Sequence, residues 1–320
     1  MREEIAAVIV PKRLSEKSRI KVVLPASSLR VGVGMTRAFT KGYDLLQKHF
    51  VLENSEFWKN DYQTFAASDE ERAAELNEAF RSPKYDAIIA GRGGYGCIRI
   101  LSQLDFNVIF DRPKALIGLS DITIPQLAAY AKTGLASLSG PTVTSLNDGN
   151  IQCLLRLLTA DSVGLDLISA ENKKRIQVMQ PGQAEGVLLG GNLSSLMQLI
   201  GTGMLPRLDN AIFFFEDISR TVDFIDSSLH HLRLVGLLYK VTGVVIGDIS
   251  FFSKSLYPSQ AKWRKLLIQR MSSIFRREIP VIMGVDYGHI SKSITIPIGV
   301  KAELDTESLS LTLLESVTHA

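Results

Sequence analysis

Cysteine is almost missing from this 320-residue chain, and the two that occur, Cys97 and Cys153, offer neither a disulfide framework nor a metal-ligand spacing. Histidine is scarce too, five in all, so the candidates for acid–base chemistry are few. No apolar run approaches the roughly 20 residues that a membrane span needs. The opening, Met1 to Pro11, has a short apolar run broken by Pro11 and no small-residue cleavage site, so nothing in it directs the chain out of the cytosol. Neither sign of charge dominates: 36 basic against 33 acidic residues leave a formal +3, spread along the length. A nucleic-acid binder concentrates a basic face. The nearest approach, Arg264, Lys265, Arg270, Arg276 and Arg277, reads as the solvated side of a helix. Repeats and low-complexity segments are lacking as well. The expectation is a cytoplasmic protein in a reducing setting, with no nucleic-acid or membrane partner, no metal and no cofactor.

What is present suits a two-domain enzyme. The length exceeds what one hydrophobic core usually serves, and a hydrophobic content of 46% is ample for two. In the first half, strand patterns at Ile20 to Leu24, Ala87 to Ala90 and Ala115 to Leu119 alternate with helical ones at Thr36 to Phe50 and Asp69 to Phe80. The second of these helices opens with the capping pattern Ser68-Asp69-Glu70-Glu71. That rhythm predicts an α/β domain with a parallel sheet and helices on both sides. Ligands in such sheets bind at the carboxyl ends of the strands. After a helix near Ile151 to Leu158 and a polar stretch, strand patterns take over from Glu185 onward. We expect an α/β domain over 1–150, a linker over 151–183 and a β-rich α+β domain over 184–320.

Five stretches carry chemistry. Gly91-Arg92-Gly93-Gly94-Tyr95-Gly96 puts four glycines in six positions, which suits close approach of backbone N–H groups to an anion or a carbonyl. It fits neither the dinucleotide fingerprint nor a Walker loop. Gly118-Leu119-Ser120-Asp121-Ile122 runs from a strand through a tight turn into the helical pattern Ile124 to Ala131, as a nucleophile elbow does, although Ile122 stands where a second glycine is usual. A simple helix N-cap at Ser120 or Asp121 is the alternative reading. Gly190-Gly191-Asn192-Leu193 follows another apolar run. Glu216 and Asp217 end the strand pattern that begins at Ala211, and alternation sends their side chains to opposite faces. Glu216 is the better acid to orient an imidazole, with Asp217 bonding locally. His289 alone among the histidines follows a strand and a glycine. A serine hydroxyl needs such a base, itself oriented by a carboxylate. Cys97 sits beside the glycine loop and reads as a buried filler.

Taken in order, these stretches resemble the serine LD-carboxypeptidases that trim murein tetrapeptides. The resemblance rests on Arg-Gly-Gly-Tyr-Gly with Arg99 and Leu101 after it, Gly-x-Ser-Asp-x-Thr at 118 to 123, Ser139-Gly140-Pro141, Gly-Gly-Asn-Leu at 190 to 193, Glu-Asp-Ile at 216 to 218, and Gly-x-x-x-Gly-His at 284 to 289. It covers nearly the whole chain. It implies a Ser120–Glu216–His289 triad at a domain junction, with oxyanion donors from the backbones of Asp121 and Gly94. It implies a murein peptide as substrate, cytosolic peptidoglycan recycling as the role, and a homodimer. Arg92 is expected to grip the carboxylate of the leaving D-alanine, with Gly93, Tyr95 and Asn192 as the other substrate-contacting residues. Within the same family, immunity hydrolases cleave acyl-adenylate antibiotics of the microcin C kind and carry Thr-Ser after the glutamate, where this chain has Asp217-Ile218. A non-catalytic peptide-binding protein on the same fold is the reading from another class. Departures from the family pattern are Leu119 before the serine and Leu24-Pro25-Ala26-Ser27-Ser28 in the first-strand loop.

Overall fold

The computed structural model describes residues 8–251 and 259–320; residues 1–7, on which part of the amino-terminal reading rests, lie outside them. The described strands are β1 (Arg19–Val23), β2 (Val51–Glu53), β3 (Ala87–Ala90), β4 (Ala115–Gly118), β5 (Ser137–Ser139), β6 (Gln177–Gln180), β7 (Gln183–Asn192), β8 (Ala211–Arg220), β9 (Gly243–Phe251), β10 (Val281–Met283), β11 (Ile296–Ile298), β12 (Lys301–Asp305) and β13 (Ser310–Leu313).

They form two sheets. The first runs β2-β1-β3-β4-β5-β11 and is parallel except where β11 meets β5. Its central strands, Ala-Ile-Ile-Ala and Ala-Leu-Ile-Gly, are buried at every position, so they read as continuous apolar runs without alternation. The second runs β13-β12-β7-β8-β9-β10-β6, with β7 to β10 mutually parallel and antiparallel strands at both edges. The α/β class and the strand-rich second half are as the sequence led us to expect.

The stretch 151–183 is more ordered than its polar composition suggests. It holds the helix Ile151–Thr159 and the edge strand β6, paired antiparallel to β10. β6 is exposed or half-buried throughout, and an edge strand with little to bury leaves little apolar pattern to read. Chain crossing also runs the other way, since β11 returns from the second half to close the edge of the first sheet.

The helix Thr123–Thr133 joins the two layers. Its sequence, Thr-Ile-Pro-Gln-Leu-Ala-Ala-Tyr-Ala-Lys-Thr, is apolar nearly all round, and nine of its eleven residues are buried. A helix without a polar face has to be enclosed, and this one packs against β5, β7, β11 and the short helix Leu193–Met197. Gln126, buried within it, donates from Nε2 to the carbonyl of Leu138 at 2.8 Å and lies near those of Leu116 and Gly118. The expected capping box is present too: Ser68 Oγ accepts from Glu71 N at 3.2 Å, and Glu71 returns the bond to Ser68 N at 3.0 Å.

Leu127 is fully buried on the central helix. Leu127→Ala is expected to lower the unfolding free energy by about 2–5 kcal/mol, read from the urea midpoint. At Leu234, 82% exposed, the same change should cost less than about 0.5 kcal/mol.

Candidate active site

β4 delivers the chain into the turn at Ser120, which has φ of +67°. A non-glycine residue there is strained by about 1–2 kcal/mol, and such strain gathers where geometry serves function. The turn packs directly on the glycine loop after β3: a Cβ at Gly93 would lie 3.0 Å from Ser120 Cβ and 3.1 Å from the Leu119 carbonyl oxygen. Any larger residue would have to push the serine turn away by a few tenths of an ångström. The loop is held from its other side by Ser27, whose N donates to the Gly93 carbonyl at 3.4 Å and whose Oγ accepts from Tyr95 N at 3.1 Å. Asp121 binds the two segments together, its Oδ2 accepting from Cys97 N at 2.7 Å.

The facing wall brings an imidazole, from the loop between β10 and β11, and its carboxylate, from β8 of the second sheet. His289 Nδ1 is 2.7 Å from Glu216 Oε2, and Glu216 Oε1 accepts from Asn192 Nδ2 at 2.9 Å. Glu216 is completely buried, while His289 keeps 22% of its side chain exposed. With Nδ1 engaged by the carboxylate, Nε2 is the nitrogen left for a partner across the cleft. A Cβ at Gly288 would lie 2.8 Å from Glu216 Oε2, so the glycine before the histidine is what lets the acid reach the ring. Ser120 and His289 line the same cleft of about 700 Å³, together with the glycine loop.

Burial pulls the His289 imidazole down, but the hydrogen bond and charge of Glu216, with Asp217 and Asp248 beyond, outweigh it and hold its pKa above 6.5. Cys97 is buried, and desolvation followed by the Asp121 charge pushes its thiol far up. It is therefore no nucleophile. Burial likewise raises the Asp121 carboxyl, against the opposing bonds from Cys97.

The structure brings most of the expected residues to the cleft: Ser120, Asp121, Arg92, Gly93, Gly94, Tyr95, Asn192 and His289 line it, with Glu216 behind the histidine. Two expectations need correction. Asn192 does not have the amide free for a substrate, since Nδ2 serves Glu216 and Asp217 and Oδ1 accepts from Ser195 N and Oγ. It positions the carboxylate instead. Arg92 faces the cleft with Nη1 committed to the carbonyls of Ser28 and Val31, which leaves Nε and Nη2 as the pair with which it could meet a ligand. The alternation argument for Glu216 and Asp217 also fails, because the pairing of β8 with β9 shifts register on both sides of Asp217. A bulge of this kind re-aims side chains, and both carboxylates reach the amide of Asn192.

Sequence reasoning missed Arg220 and Ser194, which also line the cleft. Arg220 Nε donates to Ser194 Oγ at 2.7 Å, and its guanidinium lies 4.9 Å from the Phe224 ring. Ser194 N donates to Asp217 Oδ2 at 2.9 Å. An arginine four residues after Glu216 is the available signal, hidden because it lies beyond the apolar run Ala211 to Phe215.

A two-layer α/β protein that gathers a strained serine and a carboxylate-held histidine in one cleft has the equipment of a serine-type hydrolase. Sequence comparison makes this specific. The profile of the LD-carboxypeptidase N-terminal domain matches residues 20–140, and that of the LD-carboxypeptidase C-terminal domain matches residues 185–304. The chain belongs to the LD-carboxypeptidase family and is a serine-type hydrolase. It is 30% identical to the probable murein peptide carboxypeptidase of Bacillus subtilis, over 92% of this chain and 91% of that one. It is 26% identical to the microcin C7 self-immunity protein MccF of Escherichia coli, over 91% and 92%. Among solved structures, the MccF-like protein of Bacillus anthracis superimposes with a TM-score of 0.83 at 28% identity, covering 96% of this chain and all of that one. No helix among the described residues is long and apolar enough to cross a membrane.

The raised imidazole pKa has a testable sign. A general base must be neutral, so kcat/KM should fall as pH drops through a midpoint above 6.5. In Glu216→Gln, burial acts without the opposing charge, and the remaining activity should show a lower midpoint. Stability follows the same linkage: the protonated imidazole contributes fully below the unfolded pKa, and that contribution disappears as pH rises through the folded one. The pH profiles of kcat/KM and of the thermal midpoint check both.

Proposed function

We propose that this enzyme removes the terminal D-alanine from murein tetrapeptides by hydrolysing the bond between an L-configured centre and that residue. The observation that carries the reading is the single cleft that receives Ser120 from the turn after β4 and His289 from the loop between β10 and β11, with Glu216 of β8 fixed behind the imidazole. His289 Nε2 takes the proton as Ser120 Oγ attacks the scissile carbonyl. The backbone N–H groups of Asp121 and Gly94 receive the oxyanion, the first of them at the start of the buried helix, where the dipole favours negative charge. The protonated imidazole then passes its proton to the amine of departing D-alanine. Water attacks the acyl-enzyme with His289 again as base, restoring Ser120 and releasing the shortened peptide.

An exopeptidase also has to hold the free carboxylate of the leaving residue. We place Arg220 in this role ahead of Arg92: it faces the cleft, Nε is held by Ser194 and Asp217, and Nη1 and Nη2 have no hydrogen-bond partner among the described residues, whereas Nη1 of Arg92 is committed to two backbone carbonyls. The wall beside it is rich in hydroxyls, among them Thr142, Thr144, Ser145 and Ser291, which suits a polar peptide. We place the reaction in the cytoplasm, in the recycling of peptidoglycan, and propose a homodimer. Support for an association surface comes from the exposed apolar residues Leu234, Val235 and Tyr239.

The second reading is hydrolysis of an acyl-adenylate antibiotic through the same three residues, favoured by the similarity to MccF. A nucleobase usually stacks on an aromatic ring, and Tyr95 is the one Phe, Tyr or Trp among the described residues lining the cleft. Mass spectrometry of a murein tetrapeptide and an acyl-sulfamoyl adenosine or acyl-adenylate substrate, each incubated with enzyme or with Ser120→Ala, decides between them. Loss of one alanine from the tetrapeptide, absent in the variant, is expected; cleavage of the adenylate alone would transfer the function to the immunity branch. Arg220→Ala is expected to lower kcat/KM for the tetrapeptide by about 10- to 100-fold, as loss of a charge-assisted hydrogen bond does, mostly through KM.

A further inference from the structure

Ser120 follows β4 of the first sheet, and His289 lies on the loop that leaves β10 of the second sheet for β11 of the first, so their separation depends on how this loop and the two sheets are held together. Two hydrogen bonds cross this junction close to the reacting groups. On one flank Asn192 N donates to Thr123 Oγ1 at 3.0 Å, three residues beyond Ser120. On the other, Ser139 Oγ and Tyr287 OH lie 2.6 Å apart, with both residues fully buried. Ser139 pairs with Gly118 across β4 and β5, two residues before Ser120. Tyr287 comes two residues before His289.

Tyr287 is held from every other side. Its carbonyl accepts from Asp248 N at 2.7 Å, and its ring meets Phe214 edge-on at 5.4 Å. A Cβ at Gly247 would lie 2.4 Å from the Tyr287 carbonyl oxygen. Burial and the charge of Glu216 keep the phenol neutral by raising its pKa far above the ordinary value. The following Gly288 donates its N–H to Ser293 Oγ at 2.9 Å, so the backbone between phenol and imidazole is fixed as well. A movement of the phenol tip therefore carries to the histidine.

We infer that Ser139 and Tyr287 are positioning residues whose hydroxyl contact sets the reach of His289 to Ser120 across the sheet junction. Neither touches the cleft. The inference rests on the Ser120–His289 reading, and the test separates the two. Small errors of placement at a reacting pair cost large factors in rate while leaving substrate binding intact.

The experiment follows Tyr287→Phe and Ser139→Ala, with the double variant, in steady-state hydrolysis of the tetrapeptide and in the rate of labelling by a fluorophosphonate. Circular dichroism at the assay temperature confirms that each variant is folded. The expected result is a fall of about tenfold in kcat and in labelling rate for each single variant, with KM unchanged. The double variant should be no slower than the worse single one, since both lose the same contact. The pH midpoint of kcat/KM should stay in place, because Glu216 sets it. Labelling and kcat within twofold of wild type in folded variants would overturn the inference, as would additive losses in the double variant. If wild-type enzyme is not labelled at Ser120 at all, the triad reading itself fails, which is a different outcome from an insensitive Tyr287.

Discussion

Enclosure of the helix Thr123–Thr133 between two sheets is the constraint from which the rest follows. The helix has nearly no polar face to offer water, so each sheet must cover one side of it. Covering it from the first sheet puts the turn at Ser120 at its amino end. Covering it from the second puts β7 and the helix Leu193–Met197 alongside, and with them Asn192 and the carboxylates it arranges. The junction that forms the active cleft is thus a consequence of burying one helix.

Chemistry is divided between the layers accordingly. The first sheet supplies the strained serine and the glycine loop, both at the carboxyl ends of parallel strands, where backbone N–H groups are free to meet a ligand. The second supplies Glu216, a buried acid whose charge would be costly without partners, and leads through β10 into the loop that carries His289. Asn192 and His289 are those partners on Glu216. Asp217, one residue on, serves a separate arrangement with Ser194 and Arg220 that faces the substrate side of the cleft. The register shifts on both sides of Asp217 turn it so that both carboxylates meet the Asn192 amide, while the other oxygen of each serves its own partners.

The sequence made the α/β class, the capping box at Ser68 and the buried strands β3 and β4 legible, since each depends on local pattern or on complete burial. It also singled out Ser120, Glu216 and His289, which the fold brings together, because each follows an apolar run. What escaped was set by context. β6 is an edge strand exposed or half-buried throughout, and little in it distinguishes it from a loop, while β12, paired on both sides, alternates over only five residues, Lys-Ala-Glu-Leu-Asp, too short a run to stand out. Asn192 looked like a ligand-binding residue because its neighbours are glycines, yet its amide is consumed by the acids behind it. Arg220 and the Ser139–Tyr287 contact were invisible for a common reason: their meaning depends on which distant segment lies opposite, and no periodicity encodes that.

Everything in the proposed mechanism depends on activation of Ser120 by His289 across the cleft. A crystal structure of the enzyme inactivated by a fluorophosphonate makes that activation visible. The expected result is phosphorus bonded to Ser120 Oγ, the phosphonyl oxygen within about 3 Å of the N–H groups of Asp121 and Gly94, and His289 Nε2 facing the adduct with Nδ1 still on Glu216. An adduct on another residue, or a phosphonyl oxygen turned to solvent with His289 away from it, would contradict that mechanism.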